Sequence, residues 1–160
     1  GLRFSACRYH RPMNRIGASL AFASLLLASV ALPACARECA PMVSEGWVRM
    51  PPVAMPMLAG FGRITNTCDT PVTIVGARSD AFGEVTVHET RIVEGVSRMR
   101  PVPTLRVDAK GEAVLQPGGL HLMLMQPKAT LAPGDRIRVE FELEGGGVLA
   151  GDFEVRGPGG

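Results

Sequence analysis

Arg136-Ile137-Arg138-Val139-Glu140-Phe141-Glu142-Leu143 is the stretch on which the fold class turns. Charged and apolar side chains alternate along it without interruption. A period of two places one set of side chains on each face of an extended chain, so this is a strand with one buried and one wet face. Working outward, the same reading gives strands at 45–50, 58–65, 72–79, 84–90 and 97–102, then 104–107, 113–116, 120–125 and 148–155. Between them lie turn signals: Asp69-Thr70-Pro71, Lys110-Gly111, Pro117-Gly118-Gly119, Pro133-Gly134-Asp135 and Gly145-Gly146-Gly147. Glycine, proline and aspartate break regular structure there for conformational reasons. Almost no stretch has helical periodicity. Many short, evenly spaced strands predict an all-β sandwich or barrel.

The chain has 160 residues, a one-domain length, and a formal charge of +2. That charge leaves no footprint for nucleic acid or an acidic membrane surface. Met13-Asn14-Arg15 opens a short basic region, residues 16–32 are apolar and small, and Ala34-Cys35-Ala36 supplies a small-residue cleavage pattern before Arg37. This reads as a secretory leader. Met13 reads as the natural start, with residues 1–12 upstream of it. Residues 1–36 are therefore set apart from a single domain over 37–160, which holds no further apolar run long enough to span a membrane. Export to the periplasm is the expectation. Leu32-Pro33-Ala34-Cys35 is a poor lipid-attachment box because of Pro33, so cleavage is favoured over lipidation at Cys35. Cys35 and Cys39 also have a copper-compatible spacing, but the pair straddles the cleavage point. Cys39 and Cys68 remain as an even pair in an oxidising compartment and are expected to form a disulfide. Closing a loop of about 30 residues stabilises by roughly 2–4 kcal/mol.

Of the three histidines, His10 lies upstream of the leader, so His88 and His121 carry the interest. In Gly119-Leu120-His121-Leu122-Met123-Leu124-Met125, the imidazole and two thioethers share one strand face and the leucines share the other. His88 and Met99 flank Glu94-Gly95, a two-residue hairpin turn. That register sets His88 opposite Pro101, with Met99 its diagonal neighbour at roughly 7–8 Å. His88, Met99, His121 and Met123 thus form two imidazole–thioether pairs. Thioether sulfur favours Cu(I) over harder ions. Zinc prefers thiolate, imidazole and carboxylate. A blue-copper centre needs a thiolate, which the disulfide removes. One Cu(I) ion is the expected cargo.

Each residue also has a plainer reading. A single strand histidine is usually a satisfied surface or core residue, and a strand methionine usually packs. The convergence of both remaining histidines with a methionine at a metal-compatible offset outweighs these. Met125 lies on the same face as a candidate auxiliary ligand. Met55-Pro56-Met57 reads more readily as packing than as an accessory pair. Trp47 suits either the core or a shield at the metal edge. Arg98 and Arg100 suit a solvated strand face better than a docking patch. No catalytic serine frame or phosphate loop is present, and no enzyme activity is expected.

With ten residues between His88 and Met99, twenty-one between Met99 and His121, and Met123 two positions on, the sequence resembles the PCuAC family of periplasmic copper chaperones. Val87-His88-Glu89-Thr90, Gly95-Val96-Ser97-Arg98-Met99-Arg100-Pro101-Val102, the segment 117–125, Trp47-Val48-Arg49 and Thr65-Asn66 carry the likeness, which covers residues 45–155. The resemblance implies a cupredoxin-like Greek-key β-sandwich with the copper site near the surface at one edge. It implies a Cu(I) metallochaperone that serves the dinuclear copper centre in subunit II of a cytochrome c (haem-copper) oxidase, directly or through a thiol-bearing copper chaperone; a monomer is expected. Some members carry a His- and Met-rich tail for a further Cu(II); the run Gly157-Pro158-Gly159-Gly160 offers no such ligands. The Cys39/Cys68 pair resembles a subgroup feature. Copper storage or detoxification without a client, and a metal-free adhesion sandwich, are the competing readings.

Overall fold

A computed structural model describes residues 39–159, and the leader expected over 1–36 lies outside them. Ten strands run in order: β1 (Met42–Arg49), β2 (Met57–Thr65), β3 (Val72–Arg78), β4 (Phe82–Val93), β5 (Val96–Pro101), β6 (Leu105–Val107), β7 (Glu112–Leu115), β8 (Leu120–Pro127), β9 (Arg136–Leu143) and β10 (Val148–Arg156). No helix occurs among the described residues. The sheet order is β5-β4-β8-β7-β2-β1-β10-β9-β3-β6, and further pairings of β8 with β2 and β3 with β4 fold it back on itself. Ile137, Val139 and Phe141 are buried while Arg136 and Arg138 are exposed, as the alternation requires. Phe82, Phe141, Phe153, Leu122, Leu124, Val48 and Ile64 lie in one continuous core.

β1 and β4 reach furthest beyond the sequence reading, each for a local reason, while the other strand ends move by two residues or fewer. β1 begins earlier because Met42, Val43 and Ser44 pair with Thr65, Ile64 and Arg63 across a bulge. Glu45 takes φ +55° there, and the bulge re-aims Trp47. β4 runs on to Val93, where Glu94 (φ +53°) and Gly95 (φ +78°) close the hairpin to β5. Positive φ at both central residues is the turn whose twist matches the flanking strands.

Beyond β2 the chain is tied down twice. Cys39 and Cys68 form the disulfide. Asn66 is fully buried; its Nδ2 donates to the carbonyls of Thr70 (2.8 Å) and Asp108 (3.0 Å), and its Oδ1 accepts from the Cys68 amide at 3.0 Å.

Candidate metal centre

The outer face of the β2-β8-β4-β5 ribbon carries the candidate residues. His88 pairs directly with His121, Thr86 with Met123 and Glu84 with Met125. On the hairpin, His88 lies opposite Pro101 and Thr90 opposite Met99. Residues directly opposite in a pair share a face, so His88, Met99, His121 and Met123 all stand on one side of the sheet. Leu122 and Leu124 occupy the other side with no exposure. The ring centroids of His88 and His121 are 6.1 Å apart. Two imidazoles sharing one ion hold their centroids roughly 5–6 Å apart, given metal–nitrogen bonds of about 2.0 Å.

The His121 ring is oriented by its neighbour. Its Nδ1 lies 2.9 Å from the Gly119 carbonyl oxygen, which only accepts, so the neutral ring carries its proton there. Nε2 then presents a bare lone pair, and 3.2 Å from it sits the Met99 Sδ. Two lone pairs facing each other gain nothing by themselves; a soft cation between them satisfies both. Ligands at about 2.0 and 2.3 Å from a tetrahedral ion stand about 3.5 Å apart, close to the spacing present. His88 Nδ1 is buried without a hydrogen-bond partner. Burial, then the neighbouring His121, push the His88 pKa below the ordinary histidine value, against a weaker opposing pull from Glu84. His88 is therefore neutral at pH 7, the state that binds metal. No group of three His, Cys, Asp or Glu side chains suited to an ion occurs among the described residues, so any ion here draws on the thioethers.

The face is less open than strand alternation alone indicates. His121 is 7% exposed and Met123 9%. The cover is aromatic: Trp47 stacks on Phe61 at 4.6 Å, and Phe61 stands 6.5 Å from His121. Arg49 lies over both rings at 5.3 and 5.2 Å, and Arg156 lies over Trp47 at 5.2 Å. Trp47 thus walls the site and is not core. Met99, at 54% exposure, is the open side. Arg100 and Arg91 both pair with Glu89 at 2.9 Å, which braces the hairpin. Met125 pairs with Met57 on β2, one rung beyond Met123 and Ala59. Met55 instead lines an apolar groove with Met50, Leu58 and Leu131. The Gly119 carbonyl and the Phe61 wall escaped the sequence reading. Their signal was present only in combined registers: Phe61 faces Trp47 across β1–β2, which requires knowing which strands pair.

Fold and site together define a cupredoxin-like domain of the PCuAC type. The solution structure of Cu(I)-DR1885 from Deinococcus radiodurans is similar at 27% identity and TM-score 0.60, covering 76% of this chain and 83% of that one. Apo-DR1885 matches at 26% identity and TM-score 0.58, over 93% and 95% of the two chains. The copper-bound PCuAC domain of PmoF2 shares the fold at 19% identity and TM-score 0.59, covering 72% of this chain and 92% of that one. A Leifsonia xyli protein described as "Putative lipoprotein Lxx21020" is 35% identical over 105 residues, which is 65% of this chain and 62% of that protein's length. The family model "Putative lipoprotein LpqE-like" matches residues 42–155, and the chain belongs to that family.

Proposed function

We propose that this protein binds one Cu(I) ion through His88, Met99, His121 and Met123 and passes it to another copper protein. The observation that carries this is the His121 Nε2 lone pair facing the Met99 sulfur at 3.2 Å, beside the unpartnered His88 Nδ1. Four neutral donors leave the ion its single charge, which suits exchange over permanent retention. The Cu(I) form of the Deinococcus relative supports the choice of metal. The leader expected from the sequence, the disulfide and the lipoprotein description of the family support a periplasmic location; that description also favours Cys35 as a lipid anchor point.

Release proceeds by ligand exchange with no change of oxidation state. An incoming thiolate approaches on the exposed side, bonds to Cu(I), and displaces Met99, whose neutral thioether is the weaker donor and whose side chain is free to swing away. His121 and Met123, buried behind the Trp47–Phe61 wall, leave last. The receiver is the dinuclear copper centre of an oxidase subunit II or a thiol-bearing copper carrier. X-ray absorption on the Cu(I)-loaded protein is expected to count two nitrogen and two sulfur neighbours; a sulfur-free or thiolate-rich shell overturns the ligand set. Transfer to an apo oxidase subunit, followed by gel filtration and metal analysis, tests the receiver.

A further inference from the structure

The outer face that carries the four donors continues for one more row. Three successive rungs cross β2, β8 and β4: Phe61, His121 and His88; then Ala59, Met123 and Thr86; then Met57, Met125 and Glu84. Opposed residues share a face, and so do residues two apart along a strand, so all three rungs look the same way. The last rung brings two thioethers side by side with a carboxylate on the next strand. Cross-strand partners hold their Cβ atoms about 4.5–5.5 Å apart, within reach of one ion for side chains as long as methionine. The rung is held in place, since the Gln126 amide donates to the Pro56 carbonyl at 2.8 Å. Met57 is 40% exposed, so burial explains little of its being methionine. Glu84 is exposed too.

Resting on the Cu(I) reading of the four-residue site, we propose that Met57, Met125 and Glu84 form a second, weaker Cu(I) site that loads the first. Thioether sulfur selects the soft ion, and the carboxylate offsets its charge. One rung is about 7 Å along a strand. Met123 stands one rung from Met125 and one from His121, so an ion moves by exchanging one thioether for the next, staying Cu(I) throughout. Ala59, the small residue opposite Met123, leaves room over that step. The entry rung and the Met99 side lie on different strands, so copper enters past Met57 and leaves past Met99. Met55, turned into the groove beside Leu58, has no part in this.

The test is an anaerobic Cu(I) titration of the chain carrying 13C-methyl methionine, followed by NMR. The first equivalent is expected to shift the Met99 and Met123 methyls, and the second to shift Met57 and Met125 while Met42, Met50 and Met55 stay still. In the double variant Met57→Leu with Met125→Leu, which keeps apolar volume, the second phase disappears and the affinity of the first site is unchanged. Loading from a Cu(I)–glutathione complex, timed by stopped flow, slows by about tenfold because the locally held ion is lost. Met57 and Met125 methyls that stay still past one equivalent, while Met99 and Met123 respond, overturn the second site alone. Unchanged loading in the double variant overturns its role in loading. Silence of Met99 and Met123 at every ratio overturns the four-residue reading and this proposal with it.

Discussion

Asn66 and the candidate metal face treat buried polar atoms in opposite ways. Asn66 is wholly buried, and its amide oxygen and nitrogen are both engaged, on carbonyls of the 68–70 and 107–108 segments and on the Cys68 amide. Among the described residues, the buried side-chain atoms with no partner are Arg49 Nε, Thr86 Oγ1 and His88 Nδ1. All three residues belong to the outer face: Arg49 in the wall, Thr86 opposite Met123, and His88 opposite His121. An unmet buried polar group costs about 1–3 kcal/mol. One region uses its polar group to hold the fold; the other leaves unmet groups on the face where the proposed Cu(I) ligands stand.

Substitutions at the two regions should therefore separate cleanly. The largest effect is expected from His121→Ala, which lowers Cu(I) affinity by at least about 100-fold while the apo protein still folds; a competition titration with a Cu(I) chelator measures it, and wild-type affinity ends the proposed ligand set. Asn66→Ala should do the reverse. It strands the Cys68 amide and loses the ties to the carbonyls, costing about 2 kcal/mol, read as a lower urea midpoint, with Cu(I) affinity of the folded protein unchanged. A matching loss of affinity would join what this comparison keeps apart.

The smallest effect concerns protons. The folded pKa of His88 lies below its unfolded value near 6.5, through burial first and then His121. The unfolded chain then binds the proton more readily, so this residue's contribution to apo stability is present above pH 6.5 and is lost as pH falls toward the folded pKa. Thermal melts of the apo protein between pH 7.5 and 5.5, about two units, should show a decline that His88→Gln flattens. Copper affinity should weaken over the same descent, because protons and metal compete for the imidazoles. A pH-independent apo protein would place His88 in water.

The ten strands were legible because each carries its own signal: alternation in 136–143, the Glu94-Gly95 turn, the proline and glycine breaks. The Glu94-Gly95 turn also set the hairpin register, with His88 opposite Pro101 and Met99 diagonal to it, as paired in the structure. The wall was not legible. Trp47 is brought to Phe61 by a bulge at Glu45, and Phe61 to His121 by the β2–β8 pairing, contacts between residues 14 and 60 positions apart. Nor was the unequal exposure of the two methionines, Met99 at 54% and Met123 at 9%. Both are thioethers on strands, and only the aromatic cover distinguishes them.

By itself the sequence determined the all-β class, the cysteine pair and the residue types that suit a soft ion, since periodicity, turn chemistry and donor softness are properties of short stretches. Tertiary structure alone decided that His88 stands beside His121, that Met99 is the open side, and that Met57 on β2 joins Met125 in the row. Those relations depend on which strands become neighbours. Strand pairing is a long-range choice, settled by burying every apolar face at once, and no local stretch of chain carries it.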